Sequence, residues 1–251
     1  MEAKYFNWLL WGWIALAAVT FVALLFVRAP YGRYLRAGYG PVLGRRLGWV
    51  LMELPSAVGM ALLFALSERR DNLPAFVFML LWTAHYFHRT FIFPFQLARG
   101  PGHSLTTVLL AVAFNVGNVY FNGRWLFFLG PQLEESWLTD PRFVLGVLIF
   151  AGGFILCKHS DAILIDLRRR FPGEYRIPQG GAFRWVSCPN YLGEITEWFG
   201  WAILTWSIAG LSFALWTVAN LAPRAWHHHR FYLEKFPDYP KERRALVPFV
   251  V

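Results

Sequence analysis

The chain has 251 residues, 57% hydrophobic, 19% aromatic and only 16% charged, with a net charge of +9. Runs approaching the ~20 apolar residues that cross a bilayer recur along it, which no soluble domain requires, and strands of alternating polarity, the mark of an outer-membrane barrel, are absent. Basic residues gathered in cytoplasmic loops explain the charge without nucleic acid, and two cysteines, Cys157 and Cys188, build no disulfide framework.

The first span is predicted from Trp8 to Val27, too long for a signal-peptide core and without a convincing cleavage site. A loop with Arg28, Arg33, Arg36, Arg45 and Arg46 and no acid follows. The second span runs from about Gly48 to Ser67, with Glu53 near its start and Pro55 just after. The third runs from about Leu73 to Phe95 and contains the polar block His85–Thr90. The fourth, about Leu105 to Tyr120, includes Asn115 and Asn118, and an acidic loop with Glu134, Glu135 and Asp140 leads to the fifth, about Phe143 to Leu156. Beyond it, residues 159–198 form the most polar stretch of the chain, read as the lining for a phosphate-bearing ligand.

Residues 191–221 fit either one long helix or two short crossings with a turn near Ser207 to Gly210. The positive-inside rule decides for two. The chain then has seven spans, the N-terminus outside and the C-terminus cytoplasmic, and eighteen of the 24 Lys and Arg residues lie on the inside. The expected fold is an all-α integral membrane bundle of seven transmembrane helices. No internal repeat or long linker divides it, so 1–251 reads as a single domain.

An ionisable group inside a span costs ~2.5–3.5 kcal/mol on insertion scales and usually faces a cavity with a partner, which singles out Glu53. Tyr86 with Glu53 makes a plausible acid pair: the carboxyl orients the phenol and the phenol donates to a substrate carbonyl. Arg89, one turn on, suits a phosphate. The seven histidines show neither the HxxxH nor the HxxHH spacing of membrane di-iron enzymes, so no metal site is expected. His227, His228 and His229, flanked by Arg224, Arg230 and Tyr232, read as an anion-binding rim. Gly38 to Gly44 carries glycines at the wrong spacing, with a proline and no adjacent strand, and is not a Rossmann loop.

Several strings together resemble the steroid 5α-reductase (3-oxo-5α-steroid 4-dehydrogenase) family. They are ELPS from Glu53, HYFHRTF from His85, HSD from His159, YRIPQGG from Tyr175, NYLGEITEW from Asn190 and the tail from Arg224 to Phe249. The resemblance covers Tyr31 to the C-terminus. It implies NADPH-dependent reduction of the C4–C5 double bond of a 3-oxo-Δ4-steroid, in a multi-pass protein of the bacterial inner membrane or endoplasmic reticulum. Its cofactor site, mostly within about 158–251, would face the cytoplasm, and no obligate protein partner is implied.

By the family pattern Glu53 and Tyr86 are catalytic and hold the C3 carbonyl oxygen, with Trp198 as a further substrate contact. Tyr31, Arg33, Asp161, Arg168, Tyr175, Arg176, Asn190, Glu194, His228 and Tyr232 match cofactor contacts, and Arg89, Arg99 and Arg224 match phosphate contacts. Met52 and the Cys157-Lys158 pair depart from the pattern without touching Glu53 or Tyr86. The alternatives are a reductase of another lipid enone or enoyl substrate, a membrane methyltransferase of the isoprenylcysteine carboxyl type, and a non-enzymatic sterol-binding protein.

Overall fold

The computed structural model describes residues 2–28, 38–98 and 100–250. Its helices are α1 (Glu2–Phe26), α2 (Arg45–Leu66), α3 (Leu73–Phe87), α4 (Phe93–Gln96), α5 (Leu105–Arg124), α6 (Pro141–Arg170), α7 (Pro189–Thr205) and α8 (Ile208–Lys235). The only strand pairing among the described residues that forms a ladder is short: β1 (Val42–Leu43) runs antiparallel to β2 (His103–Ser104). Four helical segments, Glu2–Phe26, Arg45–Leu66, Leu105–Leu129 and Pro141–Arg170, are long and apolar enough to cross a membrane. This is a helical membrane protein.

The remaining helices are less simple spans. At ~1.5 Å per residue, the 17 residues of α7 reach about 25 Å, short of a ~30 Å hydrocarbon core. The C-terminal part of α8, residues 224–235, carries Arg224, three histidines, Arg230, Glu234 and Lys235. The two helices are separate, as two crossings require. The break falls at Trp206, in the left-handed region at φ 44°, and Ser207 caps α8 by accepting a hydrogen bond from Gly210 N at 2.9 Å. In α6 the helix continues fourteen residues past the apolar stretch, so the polar segment after Leu156 begins as helix.

The backbone divides into two compact units, residues 29–143 and residues 1–28 with 144–251. In the first, α2 packs on α3 and α5. Pro55 interrupts the hydrogen-bond ladder of α2. Around that turn the neighbours supply polar bonds: Asn115 Nδ2 donates to Met52 O (2.7 Å), Ser56 Oγ donates to Asn115 Oδ1 (2.7 Å), and Trp82 Nε1 donates to Ser56 O (3.0 Å). Helix α3 passes into α4 through a π-helical turn, His88–Ile92, an insertion of the kind that often marks functional positions.

In the second unit, α8 packs against α1 and α7. Helix α1 buries only Phe6, Leu10 and Ala17, while Trp8 (78% exposed) and Phe26 (83%) stand outward. A helix apolar on all sides with so much of it uncovered belongs in lipid. Helices α6 and α7 run antiparallel in near-contact, Gly153 opposite Gly193 and Gly146 opposite Gly200. A Cβ on any of the four would intrude on the opposing backbone, the packing small residues permit in membranes.

Candidate active site

Glu53 has the partner its position demands. Arg89 Nε donates to Glu53 Oε1 at 3.2 Å, and the two side chains are 17% (Arg89) and 13% (Glu53) exposed. The guanidinium also lies over the Trp49 ring, 5.2 Å from its centroid, and Trp49 Nε1 donates to the Arg89 carbonyl at 3.1 Å. Trp49 is in turn flanked by Phe93 and His103. The π-helical turn therefore carries Arg89 to the first turns of α2, and an indole fixes its plane. Arg89, the expected phosphate contact, is the residue that carries this carboxylate pair.

Tyr86 lies one turn before Arg89 and is 3% exposed. Its ring packs against Trp82 (5.1 Å between centroids) and His85 (4.9 Å). Unit 29–143 thus holds a fixed phenol on α3 and an ion-paired carboxylate on α2, two groups suited to gripping a polar oxygen in apolar surroundings.

The second constellation surrounds the first turn of α7. Asn190 Nδ2 donates to Asp161 Oδ1 at 3.1 Å, and the Cys157 thiol, one turn earlier on α6, lies 3.8 Å from Asp161 Oδ2. Beside Asn190, Tyr191 accepts a hydrogen bond from Arg224 Nε at 2.8 Å, and its hydroxyl stands 3.3 Å from His228 Nε2. The structure therefore pairs Asp161 with Asn190, and Arg224 and His228 with the neighbouring Tyr191. It adds Tyr191, to which the sequence assigned no role, and Cys157, noted there only as a departure from the family pattern; nothing in their spacing announced their partners. Glu194 is half-buried one turn further along α7.

The other candidates make contacts of their own. Arg168 is exposed at the end of α6. Tyr175 packs edge-on against Phe231 (5.3 Å) with Lys235 over its face (5.0 Å). Arg176 pairs with Glu174 at 2.9 Å and lies 3.8 Å over Phe171. Tyr232 is buried and stacked between Phe236 and Tyr239. Trp198, 1% exposed, sits among Phe150, Trp201 and Phe213, the last at 4.1 Å. Tyr31, Arg33 and Arg99 fall outside the described residues.

The triple histidine does not act as one rim. Successive helix positions diverge by about 100°, and His227 Nε2 meets Leu24 O (3.0 Å), His228 meets Tyr191, and His229 Nδ1 meets Ser187 Oγ (2.7 Å). The loop before α7 is shaped by its glycines: Gly181 has φ 49°, and a Cβ there would run into the His159 ring. Arg243, almost fully buried, closes over the same loop by donating to Pro178 O (2.9 Å) and Gln179 Oε1 (2.8 Å).

Comparison with known proteins identifies this assembly of parts. The family model described as 3-oxo-5-alpha-steroid 4-dehydrogenase matches residues 102–251. Steroid 5-alpha-reductase DET2 of Gossypium hirsutum is 41% identical over 240 residues, covering 94% of this chain and 93% of the relative. The chain belongs to the steroid 5α-reductase family. Its animal relatives include the 3-oxo-5-alpha-steroid 4-dehydrogenase 1 of Bos taurus, 40% identical over 94% of this chain and 93% of the relative. The 3-oxo-5-alpha-steroid 4-dehydrogenase 2 of Mus musculus is 44% identical over 88% of each. As a member of the steroid 5α-reductase family, the chain is an oxidoreductase acting on CH–CH bonds, which sets aside the methyltransferase and sterol-carrier alternatives.

Proposed function

We propose that this steroid 5α-reductase homologue uses NADPH to reduce the C4–C5 double bond of 3-oxo-Δ4-steroids to 5α-3-oxosteroids. The observation that carries the reading is family membership at about 40% identity along nearly the whole chain, joined to a buried phenol and an ion-paired carboxylate in an apolar unit. Tyr86 donates to the C3 carbonyl oxygen, and Glu53, held by Arg89, orients it. As the β-carbon is reduced, negative charge grows on that oxygen, and the two groups stabilise it where it appears. Trp198 contributes an apolar wall for the substrate.

The donor set at the start of α7 suits a phosphate-bearing dinucleotide. A carboxylate and an amide match ribose hydroxyls, and a guanidinium and an imidazole match phosphate oxygens. Asp161, Asn190, Glu194, Arg224 and His228 hold the cofactor in this reading, with Arg168, Tyr175, Arg176 and Tyr232 as further contacts and Tyr31, Arg33 and Arg99 completing the set. When bound, reduced nicotinamide would supply the hydride to C5, and a proton taken up at C4 completes the reduction. The chain works as one reductase domain with seven crossings, the N-terminus outside, the C-terminus and cofactor residues on the cytoplasmic side, in an inner or endoplasmic-reticulum membrane whose lipids surround it.

Purified protein should oxidise NADPH only when a Δ4-3-ketosteroid such as testosterone or progesterone is supplied. Deuterium placed at C4 of the dihydronicotinamide should appear at C5 of the product. Product bearing no label at C5 overturns the reading.

A further inference from the structure

The hydrogen bonds at the head of α7 give Tyr191 a task that the family strings do not assign. Its ring is fixed by apolar packing, against a core formed by Cys188, Ile195, Ala225 and Leu246. Only its oxygen meets polar partners, Arg224 Nε at 2.8 Å and His228 Nε2 at 3.3 Å, with the imidazole ring 5.8 Å from the phenol ring. Arg224 and His228 stand four residues apart, on one face of α8.

A guanidinium can only donate, so the Tyr191 oxygen accepts from Arg224, and its own O–H can donate to His228 Nε2. The bond from Nε orients the guanidinium, whose terminal nitrogens can make bidentate phosphate contacts. When Tyr191 donates, the imidazole proton lies on Nδ1, a donor suited to a phosphate oxygen. The Asp161 carboxylate, on α6, is engaged by Asn190 and Cys157.

We propose that Tyr191 is a positioning residue for the cofactor phosphates: its hydroxyl aligns Arg224 and His228 so that both serve one anionic ligand. This rests on the assignment of NADPH to the head of α7. A residue that acts through Arg224 loses its influence once Arg224 is gone, whereas a residue that merely supports the fold does not.

The test is a double-mutant cycle on NADPH affinity, read by tryptophan fluorescence on the full chain in detergent. Arg224→Gln should weaken NADPH binding about tenfold or more, as loss of a charged contact does. Tyr191→Phe, which keeps the ring, should weaken it about three- to tenfold. The double variant should be within about twofold of Arg224→Gln alone. Arg224→Lys, independent of any Tyr191 folding defect, should also bind several-fold more weakly because it lacks the planar fork.

Wild-type affinity in Arg224→Gln removes the cofactor from this face and takes the proposal with it. A weakened Arg224→Gln beside an unaffected Tyr191→Phe keeps the cofactor and overturns the positioning role. Fully additive losses in the double variant, or wild-type affinity in Arg224→Lys, also overturn it.

Discussion

Gly193 of α7 faces Gly153 of α6 so closely that a Cβ on Gly193 would lie 2.7 Å from the Gly153 carbonyl oxygen, and one on Gly153 would lie 2.6 Å from that of Gly193. Both obstacles are backbone, which cannot rotate away. The same crossing continues through Cys157, whose amide nitrogen would be 2.5 Å from the added Gly193 carbon, to Asp161 and its bond with Asn190. Packing and site geometry are therefore one relationship. Overfilling such a contact typically costs about 1–3 kcal/mol. Gly193→Ala should lower the unfolding temperature of the detergent-solubilised protein and weaken NADPH binding in parallel. Neither should happen if the helices part easily.

The Glu53–Arg89 pair leads to a prediction in which stability and turnover separate. Removing one member of a buried pair strands the other, at a cost of about 3–5 kcal/mol. Partial exposure of both side chains puts this pair toward the lower end. Arg89→Gln should therefore destabilise the protein, and Glu53→Gln with Arg89→Gln together should restore much of the loss by removing both charges of the pair. Turnover should not return. Glu53→Gln and Tyr86→Phe should each reduce kcat by at least about tenfold, the cautious end for a displaced acid catalyst. Thermal melts alongside NADPH oxidation separate the two effects, and a double variant that regains wild-type turnover would remove Glu53 from the chemistry.

Affinity for the cofactor should depend on different residues. Asp161→Asn keeps the shape of the side chain but loses its charge and one of its two acceptor oxygens. NADPH dissociation constants should rise several-fold, about what one charge-assisted hydrogen bond contributes. Arg168→Gln should act in the same direction. Neither change should alter the steroid dissociation constant. Equal NADPH affinity in both variants would withdraw the cofactor role from α6.

Hydropathy made the helices legible because lipid-facing segments must be apolar along their length. The apolar limits of α1, α2 and α5 read almost directly from sequence, and the turn expected near Ser207 to Gly210 lies beside the α7–α8 break at Trp206 and Ser207. Hydropathy reports where lipid ends, however, not where a helix ends, so α6 was expected to finish near Leu156 and α8 near Leu221, yet both continue as amphipathic helix to Arg170 and Lys235. The π-helical turn after α3 was invisible because one inserted residue barely changes an apolar pattern. Glu53 stood out as a charge in a span, but its partner lay 36 residues away, and no local spacing connects them. Tyr191 was hidden differently: a tyrosine at a span end looks like an interfacial anchor, and only folding brings α8 to its hydroxyl.

The C-terminal tail should respond to acid through His229. Ser187 Oγ lies 2.7 Å from His229 Nδ1 and 2.6 Å from the Tyr239 hydroxyl, and Ser187 N donates to Arg244 O at 2.8 Å. Burial first, and then the Arg244 charge, hold the His229 imidazole below its ordinary value of 6.5. The folded chain thus favours the neutral ring more than the unfolded chain does. Stability from this group is complete above pH about 6.5 and is lost as pH falls from there through the lower folded value. Asp140, held at about 2 by hydrogen bonds from Arg142, acts only in much stronger acid and does not obscure that window. Tyr239 is pushed upward chiefly by burial, so its neutral phenol persists throughout. The unfolding temperature should therefore drop between pH 7 and pH 5, and His229→Asn should flatten that part of the profile even where it lowers stability at pH 7. An equally steep acid decline in His229→Asn would place the titrating group elsewhere.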